Sequence, residues 1–138
     1  DYFAYAIGAS SVGDTTLPTV LPHNVKLTGW LSRTQVQEHL ATAEIFVMPS
    51  RWEGFGLSAL EAMRAGLTVI ASKVGGIPEI LTNATGGKLI DPKRAATLLD
   101  ALRTSYYEKQ NGVGWQTPHE LGEFALARMI ERTFTLYQ

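Results

Sequence analysis

The sequence predicts an α/β domain with a mostly parallel sheet and helices on both faces. Three observations predict it. Short apolar runs alternate with stretches of helical period, the pattern of strand–helix–strand crossovers. One run, Leu67 to Ala71 (L-T-V-I-A), is apolar enough for a strand covered on both sides, as in a parallel sheet. Another, Ile45 to Met48, passes through Pro49-Ser50 into a glycine-containing loop and then a helix. In such sheets ligands bind beyond the carboxyl ends of the strands.

Composition narrows the classes. The chain has 138 residues, enough for one domain with a real core, and is 45% hydrophobic and 18% charged, as soluble globular proteins are. Net charge is −1 and no Lys/Arg cluster occurs, which argues against nucleic acid as a partner. No apolar run approaches the ~20 residues of a membrane span, and no signal-peptide pattern is present. Zero cysteines exclude a disulfide scaffold and a thiolate metal site, which fits the cytoplasm. The first residue is Asp1 rather than methionine, as expected of a chain that has been cut, processed or only partly described.

Taken in order, Tyr2 to Ile7 (Y-F-A-Y-A-I) reads as a buried strand ending at Gly8. Ala9 to Asn24 holds Gly13, Pro18 and Pro22 without helical period and reads as a loop. Val25 to Thr28 is the next strand, closing at Gly29. Ser32 caps a helix, with Gln35 completing a capping box and Val36, Leu40 and Ala43 as its buried stripe. The strand Ile45 to Met48 follows, then a helix from Leu57 stopped by Gly66. After the strand Leu67 to Ala71, Gly75-Gly76 turns the chain and Pro78 begins a short helix containing Glu79 and Ile80. Gly86-Gly87 marks a turn before the strand Lys88 to Ile90. Asp91 caps and Pro92 opens a helix to roughly Lys109, with Leu98, Leu99 and Leu102 as core contacts. Asn111 to Gly114 is a break. Thr117-Pro118-His119-Glu120 then starts a helix that runs through Phe124, Ile130 and Phe134 to the end.

The chemistry concentrates in Arg51 to Gly66, R-W-E-G-F-G-L-S-A-L-E-A-M-R-A-G. Gly54 and Gly56 permit a tight turn and close approach to a ligand. The first amides of the helix, from Phe55, Gly56, Leu57 and Ser58, lack internal acceptors and suit a phosphate. Glu53 lies before the helix and Glu61 one turn inside it. Were both helical, eight steps of ~1.5 Å would part them by about 12 Å. Paired glycosidase carboxylates sit about 5 to 9.5 Å apart, so each acid here has its own task. On periodicity alone, Leu57, Leu60 and Met63 form an apolar stripe. Ser58, Glu61 and Arg64 form a polar one, so Glu61 also suits a merely solvated position. Glu53 likewise suits a loop-capping carboxylate.

The stretch resembles the E-x7-E signature of retaining family 4 glycosyltransferases. It matches as P-S-x-x-E-G-F-G-L-x-x-L-E-A-M-x-x-G from Pro49 to Gly66, continuing through Val69-Ile70-Ala71-Ser72, Gly75 to Ile80 and Gly87 to Ile90. Upstream the resemblance reaches Val25 to Gly29. It implies a Rossmann-like domain, one half of a GT-B enzyme, that binds a nucleoside-diphosphate sugar for retaining transfer to an acceptor hydroxyl. By resemblance Glu53 acts at the donor sugar as the catalytic-site acid. Gly54, Phe55 and Gly56 line that sugar, Leu57 and Ser58 bind phosphate, and Glu61 accepts from the ribose hydroxyls. Gly29, Trp30 and Leu31 match the segment lining the base, although Trp30 equally suits a core position.

The resemblance also implies what stands outside this chain. The family's first strand–helix unit, with its G-R pattern and following lysine, has no counterpart before Tyr2, and Arg51 and Lys73 are the candidate substitutes for those cations. The acceptor-binding N-terminal domain is expected on a longer enzyme, and any peripheral membrane association belongs to it. No cofactor is implied beyond the donor substrate. No metal is expected, since the Asp residues form no Asp-x-Asp pair and His23, His39 and His119 show no ligand spacing. Glu79 suits a local cap as well as a site role. Two further readings stay open: a non-catalytic nucleotide-sugar-binding or scaffolding module, and a GT-B epimerase or phosphorylase, the phosphorylase without any pyridoxal-lysine motif in the sequence.

Overall fold

The computed structural model describes residues 3–8, 21–82 and 87–113. The fold is α/β and Rossmann-like, with parallel strands and helices as in one half of a GT-B enzyme. The chain divides into two compact units, one through Thr42 and one from Ala43.

In the first unit β1 (Ala4–Ile7) pairs in parallel with β2 (Val25–Gly29), with Ala4 opposite Val25 and Tyr5 opposite Lys26, and a shift of register between Ala6 and Ile7. β1 is exposed along its whole length, not buried as its composition suggests. Among the described residues β2 is its sole strand partner. Its aromatic side chains are partly occupied instead: the Tyr5 ring lies 4.9 Å from that of His39, and the Lys26 ammonium stands 5.9 Å over the rings of Phe3 and Tyr5.

The helix of this unit, α1 (Arg33–Thr42), begins with the expected capping box. The Ser32 amide donates to Gln35 Oε1 at 2.9 Å, and the Gln35 amide donates to Ser32 Oγ at 3.3 Å. Leu40 is its buried residue, Val36 is half-buried, and Ala43 is exposed beyond the helix end. The stripe therefore stops at Leu40, because the helix stops at Thr42 before another turn brings Ala43 round. Most of the expected loop Ala9 to Asn24 lies outside the described residues.

The second unit is a parallel sheet in the order β3 (Ile45–Met48), β4 (Thr68–Ser72), β5 (Lys88–Ile90). Ile45 faces Thr68, Met48 faces Ala71, and Ile70 faces Lys88. All of β4 is buried, so both its faces are covered, as its apolar centre Val69-Ile70-Ala71 requires, with polar Thr68 and Ser72 buried at its ends. Two helices, α2 (Leu57–Arg64) and α4 (Ala95–Gln110), pack on it. A short α3 (Ile77–Thr82) packs beside β5 and buries Ile77 and Ile80. Ile70, Ile90 and Ala101 form one core cluster, with Ile45, Leu98 and Leu102 packed against it.

Three local expectations change here. α2 buries Ala59, Ala62 and Met63, while Leu57 at its first turn is 68% exposed. Leu57 lies about 120° or more around the helix from Met63, Ala59 and Ala62, on the side of exposed Glu61 and Arg64. In α4, Leu99 is exposed and Ala101 and Ser105 are buried in its place. α4 also starts at Ala95 rather than after Asp91. Asp91 forms a turn instead: its Oδ1 accepts the Lys93 amide at 2.9 Å and its carbonyl accepts the Arg94 amide at 3.0 Å. Gly66 ends α2 as expected, with φ +83°, its amide donating to Met63 O and the Leu67 amide to Ala62 O. The helix expected from Thr117 onward, and Gly86 of the Gly86-Gly87 turn, lie outside the described residues.

Candidate functional site

The carboxyl ends of β3 and β4 carry two loops, and α2 opens from the first of them. Gly56 is the residue before the helix, in the left-handed region at φ 94°, which glycine adopts without a Cβ penalty. No side chain caps it. Its carbonyl accepts the amides of Ala59 at 3.0 Å and Leu60 at 3.3 Å. The Leu57 and Ser58 amides have no acceptor among the described residues. The first turn also holds no acid, and Arg64 sits in the last turn. The positive end of the helix dipole is thus left unneutralised by the helix's own side chains. This is the arrangement that receives an oxyanion.

The two acids differ in setting. Glu53 is half-buried, and its Oε1 accepts the Gly54 amide at 3.1 Å. The carboxylate caps its own loop. Glu61 is exposed one turn into α2, alongside exposed Ser58 and Arg64. The Ser58 hydroxyl is directed to Met48 Sδ at 3.6 Å. Trp52 and Phe55, 83% and 45% exposed, flank Glu53 in the loop.

The second unit therefore brings together Glu53, Gly54, Phe55, Gly56, Leu57, Ser58 and Glu61. Gly29, Trp30 and Leu31 belong to the first unit. There Gly29 ends β2 at φ +68°, and Trp30 is 84% exposed, which removes the core reading of that side chain. Arg51, Lys73 and Glu79 are exposed. Among the described residues no three His, Asp or Glu side chains gather as metal ligands do.

Sequence reasoning took Gly75-Gly76 as a simple turn and missed its partner. The Gly76 amide donates to Gly54 O at 2.9 Å. A Cβ on Gly75, which has φ +52°, would run into the Glu53 carbonyl. One on Gly56 would run into the Ile77 side chain. The signal was present: a glycine pair directly after the strand that neighbours β3.

Comparison with known proteins supplies the family. Residues 17–126 match the family model described as glycosyl transferases group 1. Sulfoquinovosyl transferase SQD2 of Arabidopsis thaliana is 37% identical over 86 residues, 60% of this chain and 17% of that protein. Alpha-maltose-1-phosphate synthase of Mycobacterium tuberculosis is 33% identical over 115 residues, 75% of this chain and 29% of that protein. Among solved structures, sucrose-phosphate synthase from Thermosynechococcus elongatus superposes with a TM-score of 0.58 at 33% identity, over 62% of this chain and 21% of that one. The chain thus spans 17 to 29% of the length of the two sequence relatives. With a matched family model running from the end of the first loop into the final segment, this chain belongs to the group 1 glycosyl transferases.

Proposed function

We propose that this chain is the donor-binding, C-terminal part of a retaining family 4 glycosyltransferase that takes a sugar from a nucleoside diphosphate. The observation that carries the reading is the uncapped mouth of α2, with the Leu57 and Ser58 amides free of acceptors among the described residues and Glu53 and Glu61 on either side. In the transfer, the bond from the anomeric carbon to the diphosphate breaks and a bond to the acceptor oxygen forms on the same face. Negative charge develops on the leaving diphosphate. Backbone amides fixed at a helix start stabilise that charge without reorganising, which lowers the barrier. Glu61 accepts from the ribose hydroxyls. Glu53 exchanges its bond to the Gly54 amide for the hydroxyls of the donor sugar, and Gly29, Trp30 and Leu31 line the base. No metal takes part: charge neutralisation falls to the amides and to the two cations of the first strand–helix unit, for which Arg51 and Lys73 are the candidate substitutes in this chain. The acceptor site lies on an N-terminal domain of a longer protein, and the first strand–helix unit with its two phosphate-binding cations belongs to that protein too. A relative that is a transferase and two that are synthases support transfer over a purely scaffolding role.

A thermal-shift panel of UDP, GDP and ADP with their glucose conjugates tests this. A ligand at a hundredfold excess over its dissociation constant adds about 2.7 kcal/mol of stability. At least one diphosphate raises Tm, and Glu61→Ala reduces that rise while leaving the unliganded Tm within the small range expected of an exposed position. A folded chain whose Tm responds to none of the six contradicts the reading.

A further inference from the structure

We propose that the Gly75-Gly76 turn is a positioning element that holds the Glu53–Gly56 loop in its ligand-ready shape; the idea rests on that loop being the donor-sugar site. The two loops leave the carboxyl ends of adjacent parallel strands, β3 and β4. The Gly76 amide donates to Gly54 O at 2.9 Å, so the second loop fixes a carbonyl between the two residues that carry Glu53 and Phe55. Contact is backbone to backbone. An ideal Cβ on Gly76 would stand 3.1 Å from Gly54 O and 3.2 Å from Phe55 O. On Gly75 it would overlap the Glu53 carbonyl. Neither neighbour is the far end of a flexible side chain, so neither can swing away. The Glu53 carboxylate is aimed by its own backbone, and that backbone is clamped on this side by the glycine pair. Below the clamp, Ile77 and Ile80, both fully buried, anchor the start of α3. Ile77 closes on Gly56, where α2 begins. A loop held this way keeps its groups near working geometry before the ligand arrives, which is where binding sites gain affinity.

Gly66 supplies the control that separates positioning from plain backbone strain. It also has a positive φ, +83°, but a Cβ there meets nothing within 4 Å, and it lies at the far end of α2. Gly75→Ala and Gly66→Ala therefore both force alanine into the left-handed region, and only the first pushes on the Glu53 loop. Two readouts on the full chain decide. In amide exchange by mass spectrometry, Gly75→Ala speeds exchange across residues 53–56 and leaves β4 protected, while Gly66→Ala leaves 53–56 as in the parent chain. In titration with UDP-glucose, GDP-glucose and ADP-glucose and the free diphosphates, Gly75→Ala weakens the tightest-bound conjugate by about tenfold or more and its free diphosphate by much less. Gly66→Ala weakens neither. Should Gly75→Ala also lose β4 protection, the same readouts pass to Gly76→Ala, which has no positive φ and a milder contact. Equal exchange at 53–56 in the Gly75 and Gly66 variants, or equal loss for conjugate and free diphosphate, overturns the proposal. A parent chain that binds none of the six probes sinks the donor-site reading instead, and the exchange comparison still decides whether the clamp exists.

Discussion

Met63 and Leu57 lie on the same helix and were expected on the same apolar stripe, yet one is fully buried and the other is 68% exposed. The difference is one of position around the helix: six residues put Leu57 about 120° from Met63, on the exposed side with Glu61 and Arg64 and away from buried Ala59 and Ala62. Residues three apart drift about 60° around the helix, so a stripe written at every third position leaves the buried side within two steps. Truncating Met63 leaves a cavity among Ala59, Ala62 and the β4 residues. Met63→Ala is expected to cost about 2–5 kcal/mol, and Leu57→Ala to stay within about 0.5 kcal/mol, both read as shifts of the urea midpoint at constant slope. Equal costs would mean that the amino end of α2 is covered after all. Glu53 teaches a related lesson. Its type and spacing marked it in the sequence, but its bond to the Gly54 amide depends on loop geometry that no periodicity encodes.

At the scale of elements, legibility followed the range of the interactions. The α1 start was readable because the Ser32–Gln35 box is closed by groups three residues apart. Ser32→Ala is expected to cost about 1 kcal/mol and to speed amide exchange in the first turn of α1, with the β3–β4–β5 sheet unaffected. An unchanged first turn would remove the box from the account. β4 was readable because a strand covered on both faces carries apolar residues at consecutive positions, here Val69, Ile70 and Ala71. The start of α4 was not. Asp91-Pro92 has the letters of a cap and a first turn, but Asp91 spends its carboxylate on the Lys93 amide and Thr97 spends its hydroxyl on the Arg94 carbonyl at 2.7 Å, so the helix begins later. Asp side chains serve turns and caps by the same hydrogen bonds, and only tertiary packing chooses between them. The clamp between the β3 and β4 loops was likewise out of reach, since it joins residues far apart in sequence through backbone atoms alone.

At the scale of the molecule, a Rossmann-like sheet places the amino end of α2 beside the carboxyl ends of its strands, where ligands bind in such folds. The α/β fold was legible, because strand and helix patterns repeat along the chain. The identity of base and sugar was not, because it depends on loop shapes that no local pattern encodes. The central claim is that the amides of Leu57 and Ser58 receive the diphosphate. It is tested most directly by amide NMR of the isotope-labelled 138-residue chain titrated with the nucleoside diphosphate that gives the largest thermal shift. The account predicts saturable movement of the Leu57 and Ser58 amide signals, with an affinity that falls in Glu61→Ala. Saturable binding that moves signals elsewhere and leaves those two amides still would contradict it.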